Sequence, residues 1–229
     1  IIAVAKGAGM IRPDMATMLC FICTDAEIPV SSIQMALKRS VDGSFNRITI
    51  DGDSSTNDTV ILMANGASGA RIETDIDMAA FQRLLDDLCM DLARQMVKDG
   101  EGVTKVVDLT VSGARSDEDA RAIADTIAHS PLVKTAFFGE DANWGRIIAA
   151  AGRAGVFLDP ERLDLYFDDV QMVENGMGCG SKAEEKATGV LRKPEFSVTL
   201  DLNLGQGSAS MLTCDFSLDY VKINADYRS

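Results

Sequence analysis

Apolar residues recur along the chain with two different periods, which together predict a mixture of helices and strands. The clearest helix runs from Asp77 to Asp99, where apolar residues at steps of three and four form one stripe. The stripe consists of Phe81, Leu84, Leu85, Leu88, Leu92 and Met96. Three shorter helices are predicted from Pro29 to about Lys38 or Val41, from Ser116 to His129, and from Trp144 to Ala154.

Shorter apolar or alternating runs predict strands. The run from Thr17 to Thr24 is almost wholly apolar and is typical of a buried strand. Further strands are predicted at Ile48 to Ile50, Thr59 to Met63, Lys105 to Ser112, Val133 to Phe138, Leu163 to Phe167, Phe196 to Leu204 and Ala209 to Phe216. Asn175 to Lys186 is rich in Gly, Lys and Glu and predicts a loop. The sequence therefore predicts an α/β (α+β) fold with helices layered on mostly antiparallel strands, and its composition places no domain boundary.

Charge excludes two classes of partner. The 229 residues contain 22 Lys and Arg against 35 Asp and Glu, a formal net charge of −13. Nucleic-acid binders and proteins that dock on anionic membranes need a basic face. No apolar run reaches the ~18 residues of a membrane-spanning helix. Because the chain begins at Ile1 without a Met or a basic leader, we expect that an upstream segment exists or has been processed away.

The cysteines and the one histidine limit the chemistry. The five cysteines are irregularly spaced, as in proteins with reduced thiols, which predicts a cytoplasmic location. Cys20 and Cys23 form a C-x-x-C inside a strand-like run with no second pair, which disfavours a metal or redox role. His129, at a predicted helix end, is expected to be a capping residue. With a single His, any acyl chemistry must use a base other than the imidazole of a Ser-His-Asp relay.

The Ala16-Thr17 bond is a candidate for self-cleavage. If the Thr17 hydroxyl attacks the preceding carbonyl, an N→O shift gives an ester, and its hydrolysis leaves Thr17 as a new N-terminus. The freed α-amine, with a reference pKa of ~7.7–8.0, can then act as general base for its own hydroxyl. From the residue pattern alone, the alternative that Thr17 simply begins a buried strand is favoured.

Four other polar clusters leave structural and functional interpretations open. The first, from Asp51 to Asp58, is a polar loop that lacks the Gly and Glu of a calcium loop; it lies either beside an active site or in a structural turn. Glu101 sits between Gly100 and Gly102 and is either a functional carboxylate or a solvated helix cap. The run from Phe137 to Arg146 is interpreted as fold-forming, with a possible pair between Arg146 and Asp141. The tail from Lys222 to Ser229 is expected to be docked, because the apolar pattern continues through Tyr220 and Ile223.

Several motifs in the same order give the chain a family resemblance. They are Lys6-Gly7-x-Gly9-Met10-Ile11, Met15-Ala16-Thr17-Met18-Leu19, Thr24-Asp25-Ala26, Ser44-Phe45-Asn46-Arg47-Ile48-Thr49, Asp51-Gly52-Asp53-x-Ser55-Thr56-Asn57-Asp58, Asp99-Gly100-Glu101-Gly102-x-Thr104-Lys105, Val133-Lys134-Thr135-Ala136, Asn143-Trp144-Gly145-Arg146 and Tyr220-Val221-x-Ile223-Asn224-Ala225. They closely resemble those of the ornithine acetyltransferase (glutamate N-acetyltransferase) family of arginine biosynthesis and span nearly the whole chain. This resemblance reverses the interpretation of Thr17.

The resemblance implies a fold and a processing step. Family members have a layered α/β fold similar to N-terminal-nucleophile enzymes and cleave themselves at the Ala-Thr bond, here Ala16–Thr17. Residues 1 to 16 would then be the end of an upstream α piece, and residues 17 to 229 would form the β piece. Two α and two β pieces are expected to assemble. The family's oxyanion-hole Thr-Gly pair belongs to the α piece, so these 229 residues alone are expected to be nearly inactive.

The resemblance also implies an activity. An acetyl group would pass from N-acetylornithine to glutamate by a ping-pong route through an ester on Thr17, without metal or organic cofactor and with acetyl-CoA as a further donor in some members. Lys6, Glu101, Asn224 and Ser229 match substrate-binding positions, where a cation suits the substrate carboxylate and an anion its amine. Two alternatives remain: an N-terminal-nucleophile aminopeptidase or amidohydrolase that passes its acyl group to water, and an uncleaved remnant that serves assembly only.

Overall fold

The chain folds into two compact units, Ile1–Gly100 and Glu101 onward, which are described here one at a time. The computed structural model describes residues 1 to 7, 9, 18 to 53 and 58 to 226. The predicted division at residues 16 and 17 concerns processing rather than compact units, and it stays a prediction.

The first unit contains a three-stranded sheet covered on one face by two helices. Its strands are β1 (Ile2–Lys6), β2 (Leu19–Thr24) and β3 (Thr59–Ala64), in that spatial order. β1 pairs antiparallel with β2, and β2 pairs parallel with β3. The helices are α1 (Val30–Gly43) and α2 (Asp75–Lys98), and a 3-10 helix spans Phe45–Arg47. The predicted apolar stripe of α2 buries Phe81, Leu85 and Met96, and Thr74 and Asp77 close a capping box at its start.

The opposite face of this sheet is apolar and exposed. Strand residues alternate between faces, so the fully buried Cys20 and Ile22 face the helices while their neighbours face away. In this outer face Val4, Phe21 and Ile61 lie in one row across the three strands. Val4 is 64% exposed and Ile2, in the next row, is 74% exposed.

The second unit contains a six-stranded sheet in the order β7-β6-β5-β8-β4-β9. The strands are β4 (Val106–Ala114), β5 (Asp164–Phe167), β6 (Val170–Glu174), β7 (Met177–Gly178), β8 (Glu195–Asp201) and β9 (Gly207–Cys214). The helices are α3 (Asp117–Ala128), α4 (Pro131–Phe138), α5 (Trp144–Ala151), α6 (Ser181–Leu191) and α7 (Leu218–Ala225). A 3-10 helix spans Pro160–Arg162. Only β4 and β8 pair parallel among the described strands of this sheet.

The core of the second unit lies between one face of this sheet and the helices. Leu109, Val198 and Leu165 from three neighbouring strands are buried against Ile123 of α3 and Leu191 of α6. The outer face of the same strands carries half-buried polar residues, among them Asp108, Thr110 and Thr199. The outer faces of the two sheets therefore differ: one is polar and the other apolar.

Three predicted elements are wrong. Val133 to Phe138 is the helix α4 rather than a strand, because Pro131 opens a helix well and a short apolar run fits either a buried helix or a strand. The buried residues Ile48 to Ile50 follow a 3-10 helix and lie outside the strands of the described residues. Asn175 to Lys186 is not a loop throughout, since α6 begins at Ser181 after the positive φ of Gly180.

Asp168 ties the β5–β6 turn to the neighbouring part of the unit. Its carboxylate accepts hydrogen bonds from Lys193 Nζ at 2.6 Å and from the Ser197 backbone N–H at 2.8 Å. Burial opposes ionisation of Asp168, but the hydrogen bonds from Lys193 and Ser197 outweigh it and lower the pKa of Asp168 below its usual value. An acid whose pKa is lowered by folding stabilises the fold above its unfolded pKa, and this contribution is lost as the pH falls through the folded pKa.

We expect Asp168→Asn to lower the melting temperature at pH 7 and to have a shrinking effect as the pH falls below about 4, near the pKa of an unfolded Asp. Protonated Asp168 resembles Asn, so the variant and the original converge in acid. Thermal unfolding followed by circular dichroism from pH 7 to pH 3 measures this. Glu185→Gln, at an exposed position of α6, is the control. An Asp168→Asn effect of constant size across this range would contradict the prediction.

Candidate functional site

Three predicted site residues, Ala16, Thr17 and Ser229, lie outside the described residues, but Met18 fixes where the chain enters the first sheet. Met18 is buried; its backbone N–H donates to Asp58 Oδ1 at 2.7 Å, and its carbonyl accepts from the Thr59 N–H at 2.9 Å. These bonds extend the parallel pairing of β2 and β3 by one residue. The residue that is covalently attached to Thr17 is thus held on both its N–H and its carbonyl.

Lys6 lies at the same end of this sheet. It is the last residue of β1 and pairs with Leu19 in the antiparallel register. Its side chain is exposed, on the apolar outer face. Lys6, Met18 and Asp58 therefore gather at one end of the sheet, which brings a cation to the end of the sheet where β2 starts.

Asp58 is a residue of this site to which sequence reasoning assigned no role. Burial raises the pKa of the Asp58 carboxyl, and the hydrogen bond from Met18 partly opposes that rise. The sequence shows Asp58 only as the last residue of a polar run. Its contact with Met18 depends on the parallel pairing of β2 and β3, which connects residues 40 positions apart.

In the second unit, the structure brings together Glu101 and Asn224. The Asn224 side-chain amide donates one hydrogen bond to Glu101 Oε2 at 3.0 Å and a second to the Tyr220 carbonyl at 3.1 Å. Because both partners are acceptors, the amide can present only its NH₂ group to them, which fixes its orientation. Glu101 is half-buried and Asn224 is exposed.

This orientation leaves two oxygens on one small surface. Among the hydrogen bonds of the described residues, neither Glu101 Oε1 nor Asn224 Oδ1 has a donor. A carboxylate oxygen next to an amide oxygen is an acceptor pair, and it suits a primary ammonium group, which has three donors. The structure thus gives Glu101 a defined partner and leaves its second oxygen as an acceptor among the described residues.

Asp215 fixes the turn that carries Glu101. It is buried at the end of β9 and accepts hydrogen bonds from the Thr104 and Lys105 backbone N–H groups, both at 2.9 Å, and from the Thr104 hydroxyl at 2.5 Å. The charge-assisted bonds to one buried carboxylate hold the residues just after Glu101 rigidly. The site residue is thereby attached to the core of its unit.

The remaining sequence candidates have structural roles. Arg146 donates to the Leu132 carbonyl at 2.8 Å, while Asp141 accepts from Asn143, so the suggested Arg146–Asp141 pair is wrong. His129 caps α3 as predicted and lies 3.3 Å from Asp125.

The polar loop and the C-x-x-C also contain structural contacts. Asp53 donates its N–H to Asp51 Oδ1 at 3.3 Å in a turn, and residues 54 to 57 lie outside the described part. Cys20 is buried and Cys23 exposed, on opposite faces of β2, and burial raises the pKa of Cys20 to about 11. The two thiols therefore cannot bind one ion together.

The described residues contain neither a cluster of metal ligands nor a membrane-spanning helix. No group of three or more His, Cys, Asp or Glu side chains there is arranged to hold a metal ion. No described helix combines the length and the apolar character that crossing a membrane requires.

The whole chain is similar to known proteins. The sequence model of the ArgJ family matches residues 1 to 229. The chain is 56% identical over 231 residues to the arginine biosynthesis bifunctional protein ArgJ of Geobacter sulfurreducens, covering 100% of this chain and 59% of that relative. It is 54% identical to the protein of the same name from Desulfotalea psychrophila, covering 98% of this chain and 58% of that relative. The chain thus spans about three-fifths of the length of these relatives.

A solved structure has the same fold. The crystal structure of the arginine biosynthesis bifunctional protein ArgJ from Bacillus halodurans superposes with a TM-score of 0.85 at 40% sequence identity, over 90% of this chain and 98% of that chain. The predicted α/β fold of N-terminal-nucleophile type is confirmed by this match, as is the family resemblance found in the motifs. The chain belongs to the ArgJ family.

Proposed function

We propose that the protein containing this chain transfers an acetyl group from N-acetylornithine to glutamate in arginine biosynthesis. Family membership along the whole chain supports the reaction class, and the Glu101–Asn224 acceptor pair is the observation that carries the substrate assignment. N-acetylornithine has one free ammonium group, at the end of its side chain, and one carboxylate. We assign the ammonium to the acceptor pair; Lys6, a substrate-binding residue that the family resemblance implies, is a cation of the kind that suits a carboxylate.

The proposed chemistry has two balanced steps. The Thr17 oxygen attacks the acetyl carbonyl carbon, the carbon–nitrogen bond breaks, and the hydroxyl proton passes through the Thr17 α-amine to the departing nitrogen of ornithine. The α-amine of glutamate then attacks the acetyl ester, the carbon–oxygen bond breaks, and Thr17 recovers its proton. Neither step needs a metal or an organic cofactor, and acetyl-CoA could donate the same acetyl group to Thr17.

Self-cleavage at Ala16–Thr17 is part of this proposal, because only a free Thr17 amine can act as the base. Two features support it. Met18 is held by Asp58 and Thr59, so the start of β2 is anchored independently of the residues before it. The match to this chain covers 98% of the solved Bacillus halodurans chain but only 59% of the Geobacter relative, so the solved chain is the shorter polypeptide. Cleavage of a precursor would leave a separate polypeptide of about the length of the solved chain.

The three-stranded sheet supports an assembly of the two pieces. Cleavage would place β1 on the upstream piece and β2 on the downstream piece, yet these strands pair along five residues. The outer face of the same sheet exposes several apolar side chains next to one another, which is typical of an interaction surface. We propose that the part of the precursor outside this chain covers this face, and that two copies of each piece assemble in the cytoplasm.

We expect the full-length precursor to release a piece that begins at Thr17 and to form N-acetylglutamate from N-acetylornithine and glutamate. Thr17→Ala should abolish both events, because the variant has no hydroxyl to attack either carbonyl. Intact-mass spectrometry measures the cleavage and chromatography measures the acetylated product. Thr17→Ser, which keeps a hydroxyl, is the matched control and should retain cleavage.

Two results would overturn this part of the proposal. Acetate release without N-acetylglutamate would identify a hydrolase. Acetyl transfer by the Thr17→Ala variant would remove Thr17 from the mechanism.

We expect Glu101→Gln to raise the KM for N-acetylornithine about ten- to hundredfold, because a hydrogen bond to a charged carboxylate contributes roughly 1.5–3 kcal/mol. Glutamate has a carboxylate where N-acetylornithine has its ammonium, so its KM should not rise. Steady-state kinetics with each substrate varied in turn separates the two values. Glu185→Gln is the control for loss of a charge at an exposed site. Equal increases in both KM values would count against the ammonium assignment.

We expect Ile61→Lys, in the central row of the apolar outer face, to make the two pieces separate after cleavage. A lysine there would have to be buried when the rest of the precursor covers the sheet, and an unpaired buried charge is costly. Pull-down through a tag on one piece, followed by size-exclusion chromatography, measures retention. Ser210→Lys, on an exposed position of β9, is the matched control. Full retention in the Ile61→Lys protein would show that this face is not the interface.

A further inference from the structure

The helix α7, which carries Asn224, is attached to its unit by few contacts. None of its residues is buried, and its apolar side chains Leu218 and Val221 are 67% and 60% exposed. A helix of this length is not stable by itself in water. Its position relative to Glu101 must therefore come from a small number of specific interactions rather than from a buried apolar face.

The hydroxyl of Ser217 supplies two of these interactions. Ser217 precedes α7 as its N-cap and is itself buried. Its Oγ donates to the Gly102 carbonyl at 2.5 Å and accepts the Tyr220 backbone N–H at 3.1 Å. One side chain thus connects the turn of Glu101 and Gly102 to the first turn of the helix that carries Asn224.

The backbone at Gly102 completes the same contact. Gly102 has a φ of +67°, and a Cβ placed there would lie 2.4 Å from the Tyr220 nitrogen and 2.8 Å from Ser217 Oγ. Only glycine permits this approach, because a Cβ would clash with both atoms. The Gly102 backbone therefore packs directly against the Tyr220 backbone and the Ser217 side chain. Tyr220, whose N–H binds Ser217, also accepts the Asn224 amide through its carbonyl.

A ring stack adds a second support. Phe216 and Tyr220 stack with ring centroids 4.8 Å apart. The ammonium group of the fully buried Lys134 lies 4.9 Å from the Phe216 ring. This stack restrains the start of α7. Besides the Asn224–Glu101 hydrogen bond, the Ser217 hydroxyl connects the turn to the first turn of the helix.

We propose that Ser217 is a positioning residue for substrate recognition: its hydroxyl sets the spacing of Glu101 and Asn224 so that their open oxygens bind the side-chain ammonium of the ornithine substrate. The inference rests on the proposed function and extends it, because neither the motifs nor the comparisons give Ser217 a role. Loss of the hydroxyl removes the bond to Gly102 and the cap of α7 together. The acceptor pair then loses its geometry, whereas the strand pairing that places Lys6 lies in the other unit and does not involve Ser217.

The test compares two ligands that differ only in this ammonium group. Norvaline is ornithine without the side-chain amine, so the ratio of their dissociation constants measures how strongly the protein recognises that amine. We expect Ser217→Ala in the cleaved full-length protein to reduce this ratio about tenfold or more, and kcat/KM for N-acetylornithine to fall by up to about a hundredfold. Self-cleavage should proceed as in the original protein. Calorimetry measures the binding and product chromatography the activity.

Three variants separate positioning from general stability. Ser217→Thr keeps a hydroxyl and should restore the ratio. Ser116→Ala removes the N-cap hydrogen bond of α3 in the same unit and should leave the ratio unchanged. Gly102→Ala strains the same contact from the other side and should reduce the ratio even if Ser217→Ala fails to fold.

The outcomes are distinct. If Ser217→Ala and Gly102→Ala weaken ornithine and norvaline equally, or change neither, Ser217 is not a positioning residue. If the original protein transfers no acetyl group, the proposed function fails, and the binding ratio still decides the role of Ser217. If the original protein binds both ligands equally, the ammonium site itself is refuted.

Discussion

The pairing of β2 with its two neighbours is the constraint on which the candidate site residues of the first unit depend. β2 is antiparallel to β1 and parallel to β3. Its start therefore lies beside the end of β1 and the start of β3. That geometry places Lys6 opposite Leu19 and Asp58 on the Met18 N–H. A shift of one residue in either pairing would turn the side chains of β2 to the opposite face of the sheet. Strand register therefore determines where Met18 lies and which side chains surround it.

The same pairing connects structure with processing. A cut between residues 16 and 17 would fall in the connection between two strands that remain hydrogen-bonded to each other, so chemistry at the cut would not have to disrupt the sheet. The outer faces of the two sheets differ in polarity. The six-stranded sheet has the polar residues Asp108, Thr110 and Thr199 on its outer face, whereas Val4, Phe21 and Ile61 are apolar and gain free energy when they are covered.

Local sequence patterns predicted the long helices and strands, but they failed where tertiary contacts determine which structure forms. The apolar stripe of α2 identified that helix almost to the residue, because one face of it is buried against the unit. The run of α4 failed, since eight residues with an apolar majority fit a buried helix as well as a strand. For the site, Lys6, Glu101 and Asn224 came from the family resemblance and not from spacing. Sequence analysis could not find the Glu101–Asn224 contact, which joins residues 123 positions apart, or the roles of Asp58 and Ser217.

Local polarity, rather than net charge, determines what such a site can bind. The chain has a formal charge of −13, yet Lys6 offers a cation at the end of its sheet and Glu101 an anion beside an oriented amide. The amide matters because its two donors are already used by Glu101 and Tyr220, so it can face a ligand only as an acceptor. An ammonium group satisfies both open oxygens, whereas a carboxylate would face two acceptors and be repelled. Selectivity at this position therefore follows from which hydrogen bonds the protein has already made before any ligand arrives.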